Sequence, residues 1–215
     1  MLRQLNRSGG LAGVGFATLI VLCNVILVPA GLPTTGADTA AVIDFFGSNG
    51  AAVGAATALT PLAWALATLF GAAAVAALWR TEPGWALVGF AGILLQNGAF
   101  AGVVAIRLAL SATDDHTATP GLWALHDALF TLNGTFLALA LTGLSVAGRR
   151  AELIRPWHAW LGLVAAALLF TSATLAPLVI DHSGPLGLLG LAGWLLWVVW
   201  IAYYGVVLTR AAPAR

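Results

Sequence analysis

The chain has 215 residues, of which 60% are hydrophobic and 8% are charged, with a mean hydropathy of +0.96. A soluble domain carries roughly 25% charged residues, so this composition excludes a soluble core, and a net charge of +1 carries no signal for nucleic acid. A single cysteine, Cys23, excludes an internal disulfide and a multi-thiolate metal site.

A bilayer-crossing helix takes about 20 mostly apolar residues, and six segments qualify: 11–31, 52–79, 84–110, 122–147, 157–180 and 186–208. The first is longer than the core of a signal peptide, and no small-x-small cleavage site follows it, so it is predicted to be retained. Between the first two segments, Asp38 is a good N-cap, and Val42, Phe45 and Phe46 then share one face. That pattern predicts a short amphipathic helix over 38–46, lying on the outer surface. Pro83, Pro120, Pro156 and Pro185 stand at or just before helix starts, where a missing N–H costs nothing. Pro29, Pro61 and Pro177 fall within segments and are read as interior prolines that free backbone carbonyls. Gly9 and Gly13, Gly98 and Gly102, and the alanines around Gly71 predict close helix packing. Trp194, Trp197, Trp200, Tyr203 and Tyr204 crowd the last segment, for packing and interface anchoring or as a wall for a flat ligand. No internal repeat or linker appears, so residues 1–215 form one domain. The fold class is all-α: a polytopic membrane bundle of six transmembrane helices plus a short outer helix.

All nine basic residues are arginine. Arg3, Arg7, Arg80, Arg149, Arg150, Arg155, Arg210 and Arg215 lie at the termini or in the second and fourth gaps between segments. The remaining gaps hold Asp38, Asp44, Asp114, Asp115 and Asp181. Arginine near membrane ends stays cytoplasmic, which predicts a plasma (inner) membrane protein with both termini inside.

Arg107 is the one basic residue within a segment, and an ionisable residue at depth marks a functional site by default because its burial is costly. It lies about one turn from the outer end of the third segment; His126 and Asp127 lie about one turn inside the outer end of the fourth. A short loop makes these segments antiparallel neighbours, so Arg107 and Asp127 share a depth. The spacing predicts that they form an ion pair, or border one cavity with His126. Asn133 and Thr131 continue inward on the fourth segment, Gln96 and Asn97 lie near the midplane on the third, and Asn24 and Ser172 join them from the first and fifth. Two readings are open. In one, Arg107–Asp127 locks two helices and the amides bond between spans. In the other, a polar pocket opens outward, with Arg107, His126 and Asp127 at its mouth and Asn133, Gln96 and Asn97 at its floor.

His116 and His182 sit beside Asp114, Asp115 and Asp181 in loops, without the helical spacing of zinc ligands, so no metal is predicted. His158, with Trp157 and Trp160, reads as part of an inner aromatic belt. Nucleophile elbows, phosphate loops and dinucleotide fingerprints are absent from the sequence, and no cofactor is predicted.

Several motifs carry a resemblance: Arg7-Ser-Gly-Gly-Leu-Ala-Gly, the short loop helix from Asp38, the fourth segment's Leu122-Trp-Ala-Leu-His-Asp-Ala-Leu-Phe-Thr-Leu-Asn-Gly, Pro156-Trp-His-Ala-Trp-Leu-Gly, and the Trp-rich last span. The chain resembles six-helix integral membrane proteins of actinobacteria grouped as a domain of unknown function. The resemblance implies a plasma-membrane address and no particular activity. Three functions are consistent with the residues. The first is a ligand-binding or accessory protein of the inner membrane, taking a small or lipid-like molecule from the outer leaflet. The second is a membrane-embedded cyclase, isomerase or hydrolase of a lipid or isoprenoid, with Asp127 as acid or base and His126 or Arg107 tuning it. The third is a structural subunit with a membrane-protein partner. In all three the lipid bilayer is the surrounding medium and nucleic acid is not a partner.

Overall fold

The computed structural model describes residues 2–113, 116–182 and 185–211. Among them the chain forms α1 (Leu2–Leu27), α2 (Thr39–Ser48), α3 (Gly50–Leu78), α4 (Pro83–Ala112), α5 (Thr119–Arg150), α6 (Pro156–Thr174), α7 (Ala176–His182) and α8 (Gly187–Arg210). One turn of 3₁₀ helix, His116–Ala118, leads into α5. Helices α1, α3, α4, α5, α6 and α8 are long and apolar enough to cross a membrane, and the all-α bundle is that of a multi-pass membrane protein.

Each long helix packs against its neighbours in sequence, and α8 packs against α1. The six therefore close into a ring in chain order. In lipid, apolar surface alone gives helices no reason to associate, so close backbone approach has to do it. Ring closure rests on such an approach: a Cβ on Gly10 would collide with the Gly205 carbonyl across the α1–α8 seam. Gly89 and Gly143 do the same for α4 and α5. Of the predicted small-residue pairs, Gly9 and Gly13 meet Ala73 and Phe70 on α3, but Gly98 faces open space. The α4–α5 seam uses Gly89 and Gly92 instead.

Inside the ring the axis is filled. Phe16 stands edge-on to Trp197 at 5.5 Å, and Phe70 edge-on to Tyr204 at 5.6 Å. Trp200 and Tyr204 are almost fully buried beside them. The aromatic last helix is thus core packing. Beside Phe16, Phe70 and Trp197, and lined also by Gln96, there is space for about one water molecule.

Three boundaries differ from the sequence reading. Helix α1 begins at Leu2, because Asn6, Gly9 and Gly10 are buried and ring contacts extend the helix past its apolar stretch. Pro29 lies in the turn that closes α1, where Gly31 N–H bonds Val28 O at 3.0 Å and Leu32 N–H bonds Leu27 O at 3.1 Å. The fifth span stops at Thr174, and Pro177 sits in the first turn of the separate α7. Its missing N–H and its ring, set against the preceding turn, end the longer helix. Only Pro61 is interior. The Thr60 hydroxyl donates to Thr57 O at 2.8 Å, satisfying the carbonyl that Pro61 leaves without its usual partner.

Helix α2 forms as predicted. The Asp38 carboxylate accepts the Ala41 N–H at 2.9 Å, and Val42, Phe45 and Phe46 are buried. Phe46 meets Trp123 of α5 at 6.1 Å. With Leu27, Val53, Ile106 and Leu110 they build a second, smaller core that covers one end of the ring. This is the α2 end; the opposite is the arginine end.

Candidate functional site: a buried charged chain and a lipid-facing groove

Arg107, His126 and Asp127 come together at the border between the two cores, and all three are buried. A direct Arg107–Asp127 ion pair does not form among the described residues; His126 stands between them. Arg107 Nε lies 3.0 Å from His126 Nε2, and His126 Nδ1 lies 3.0 Å from Asp127 Oδ1. Arginine only donates, so Nε2 accepts and carries a lone pair; the hydrogen is then on Nδ1, which donates to the carboxylate. The imidazole is neutral and relays between a cation and an anion. Trp123 stacks on it at 4.3 Å and 10°, and Phe130 lies parallel on the other side at 5.9 Å.

The second oxygen of Asp127 accepts the Gly36 N–H at 2.8 Å. Gly36 belongs to a turn closed by Ala37 N–H to Thr34 O at 3.0 Å, and its φ of 80° is a conformation glycine adopts freely. The connection between α1 and α2 is therefore pinned over the charged chain. Cys23, just beneath, donates its thiol to Ala56 O at 3.4 Å and links α1 to α3. Charges this deep in a membrane protein require partners, and the chain supplies them end to end.

The other predicted site residues do not converge on this cluster. Asn24 Nδ2 donates to Ile20 O of its own helix at 2.9 Å. Asn97 Nδ2 reaches α3, donating to Trp64 O and Thr68 Oγ1, both at 3.2 Å. Gln96 turns the other way, to the central void. Ser172 is buried against Gly190 on α8. Thr131 Oγ1 and Asn133 Oδ1 are buried without a hydrogen-bond partner. Neither the central void nor the groove described below is lined by Arg107, His126 or Asp127. His158 is not in an exposed belt: it is fully buried, with Nε2 3.0 Å from Trp200 O. Among the described residues, no three His, Cys, Asp or Glu side chains are placed to hold a metal; Asp114, Asp115 and the His182 side chain lie outside them.

A feature that sequence reasoning missed lies on the outside of the ring. Helices α4, α5 and α6 leave a groove of ≈ 340 Å³ between them. Ala138, Ala166 and Ala167 line it together with Trp85, Leu139, Leu163 and Phe170. It begins in the first turn of α4 at the arginine end. There the Arg150 guanidinium lies 5.9 Å from the Trp85 ring centroid, within cation–π range, and 3.6 Å from Glu82. Trp79, Trp85, Trp157 and Trp160 are exposed at this end, on the helix termini that flank the arginine-bearing loops. The only signal in the sequence was small residues at lipid-facing positions of α5 and α6.

Neither protein-family models, nor curated proteins, nor solved structures give a match to this chain.

Proposed function

We propose that the chain is a six-span protein of the cytoplasmic membrane, both termini inside, whose role is to bind a lipid or small hydrophobic molecule in the α4–α5–α6 groove. The groove carries this reading: it is apolar, opens to the surrounding bilayer, and has the volume of a ligand cleft, roughly 300–1,000 Å³ in known sites. The arginines support the orientation: Arg80, Arg149, Arg150, Arg155 and Arg210 gather at one end. The four exposed tryptophans at the same end suit a membrane–water interface and are neutral as to side. The Arg107–His126–Asp127 chain then acts as a clamp: it holds α4, α5 and the first outer loop together.

A phospholipid with a photoreactive acyl chain tests the binding role. Crosslinks should concentrate on Leu139, Leu163 and Phe170 and be lost in Ala167→Trp, which fills the groove from an exposed position. Labelling spread evenly around the ring, and unchanged in the variant, would defeat the proposal.

One observation favours an enzyme. Asp127 orients His126 through Nδ1–H, the arrangement that makes Nε2 a general base in hydrolytic triads. In that reading His126, not Asp127, takes the proton, and Arg107 has to leave Nε2 first. A bound substrate analogue that displaces Arg107 from Nε2 would favour catalysis over the clamp.

A further inference from the structure

We propose that the groove's occupant is an anionic phospholipid from the leaflet at the arginine end, with an acyl chain along Ala138, Ala166 and Ala167 and its phosphate at Arg149 and Arg150. This rests on the lipid-binding reading above and adds the headgroup, the leaflet and the direction of the lipid.

Depth is the first argument. The groove starts at Trp85 and reaches Thr135 and Phe170. At a rise of about 1.5 Å per residue, Thr135 stands roughly 22 Å along α5 from Arg150. Half of a bilayer of about 40–45 Å, headgroup regions included, is roughly 20–22 Å. A groove that runs from a headgroup position to about the midplane fits one acyl chain of one leaflet, not a molecule lying across both.

Charge at the mouth is the second. Arg149, Arg150 and Arg155 are all exposed around the α5–α6 turn, against Glu82 and Glu152. Arg150 holds Glu82 only at 3.6 Å, with its own side chain 58% exposed. Such a surface pair is weak, and a phosphate that accepts two parallel N–H bonds competes with it well. The Arg150 guanidinium lies 5.9 Å from the ring centroid of Trp85, which lines the groove.

The third is the start of α4. Its N-cap, Glu82, makes no side-chain bond to the first-turn amides, and the positive end of the helix lies at the same end as Arg150, where it favours an anion. The acyl trough and the anion site are continuous through Trp85, which lines one and stacks under the arginine of the other.

Native mass spectrometry of the full chain in detergent, titrated with dioleoyl phosphatidylglycerol or dioleoyl phosphatidylcholine, tests the proposal. Phosphatidylglycerol should bind at least about five-fold tighter, the scale of one arginine near an anionic surface. Arg149→Gln with Arg150→Gln should bring it down to the phosphatidylcholine level and leave phosphatidylcholine unchanged. Arg149→Lys with Arg150→Lys should keep most of the preference. Ala167→Trp should weaken both lipids. Circular dichroism and a melting curve on each variant establish that it folds. Equal affinity for the two lipids in the wild type overturns the anionic headgroup and leaves lipid binding standing. Binding unaffected by Ala167→Trp, or a dimer that this variant abolishes, overturns the groove as a lipid site altogether.

Discussion

Removing Asp127 strips the buried chain of its only anion. The carboxylate is 1% exposed and accepts from both His126 and Gly36, while Arg107 is 9% exposed. In Asp127→Ala the guanidinium stays buried with no counter-charge, and His126 Nδ1–H and Gly36 N–H lose their acceptor. Breaking a buried pair this way costs about 3–5 kcal/mol, and Arg107→Ala should cost about the same. The double variant Arg107→Met with Asp127→Leu removes both charges and replaces them with apolar volume. It leaves the neutral His126 and the Gly36 N–H unsatisfied, for about 1–3 kcal/mol each. The double should therefore lie well below the sum of the singles, with a coupling of several kcal/mol. Reversible unfolding in mixed micelles, by titration with a denaturing detergent, measures all three. A narrower perturbation, Gly36→Ala, forces a side chain into a left-handed conformation and should cost about 1–2 kcal/mol, with faster proteolysis of residues 28–38. If the singles cost under about 1 kcal/mol and the double equals their sum, the charges are not coupled through His126 and the clamp is wrong.

Other variants probe the elements around it. Phe46→Ala opens a hole between α2 and Trp123 where the ring is 2% exposed; it should cost about 3–5 kcal/mol in the same unfolding assay. Glu152 holds a positive φ of 55° at the end of α5, where Leu153 N–H bonds Gly148 O at 2.9 Å and Glu152 N–H bonds Arg149 O at 3.2 Å. Glu152→Gly should raise stability by about 0.5–1 kcal/mol, since glycine takes that conformation without strain and is the usual residue there.

Much of this was legible in the sequence, for physical reasons. Six crossings follow from hydropathy because lipid leaves the backbone no alternative to helix. Arg107, His126 and Asp127 stood out because charge at depth is costly, and antiparallel neighbours put them at one level. Their mode of contact was not legible: interposing His126 depends on rotamers, and the bond from Gly36 depends on the fold of a loop distant in sequence. Gln96 and Asn97 are adjacent, so on a helix they point about 100° apart; assigning both to one pocket floor could not hold. Pro177 was visible, but that it ended a span, rather than bending one, depends on the packing of the α2 end. The groove was the least legible feature. Its lining residues are ordinary lipid-facing alanines and leucines, and only the splay of three helices turns them into a trough.

The clamp, the leaflet and the lipid's direction all depend on which way the chain is threaded. Single cysteines on a Cys23→Ala background, at Asp44 on α2 and at Arg155 in the α5–α6 turn, read that threading in intact cells with a membrane-impermeant thiol reagent. Both positions are exposed. Modification at position 44 in intact cells, and at position 155 only after permeabilisation, is the predicted result. Modification at 155 with protection at 44 would contradict the account, because the acidic end would then be inside and the arginine-lined groove would open to the outer leaflet.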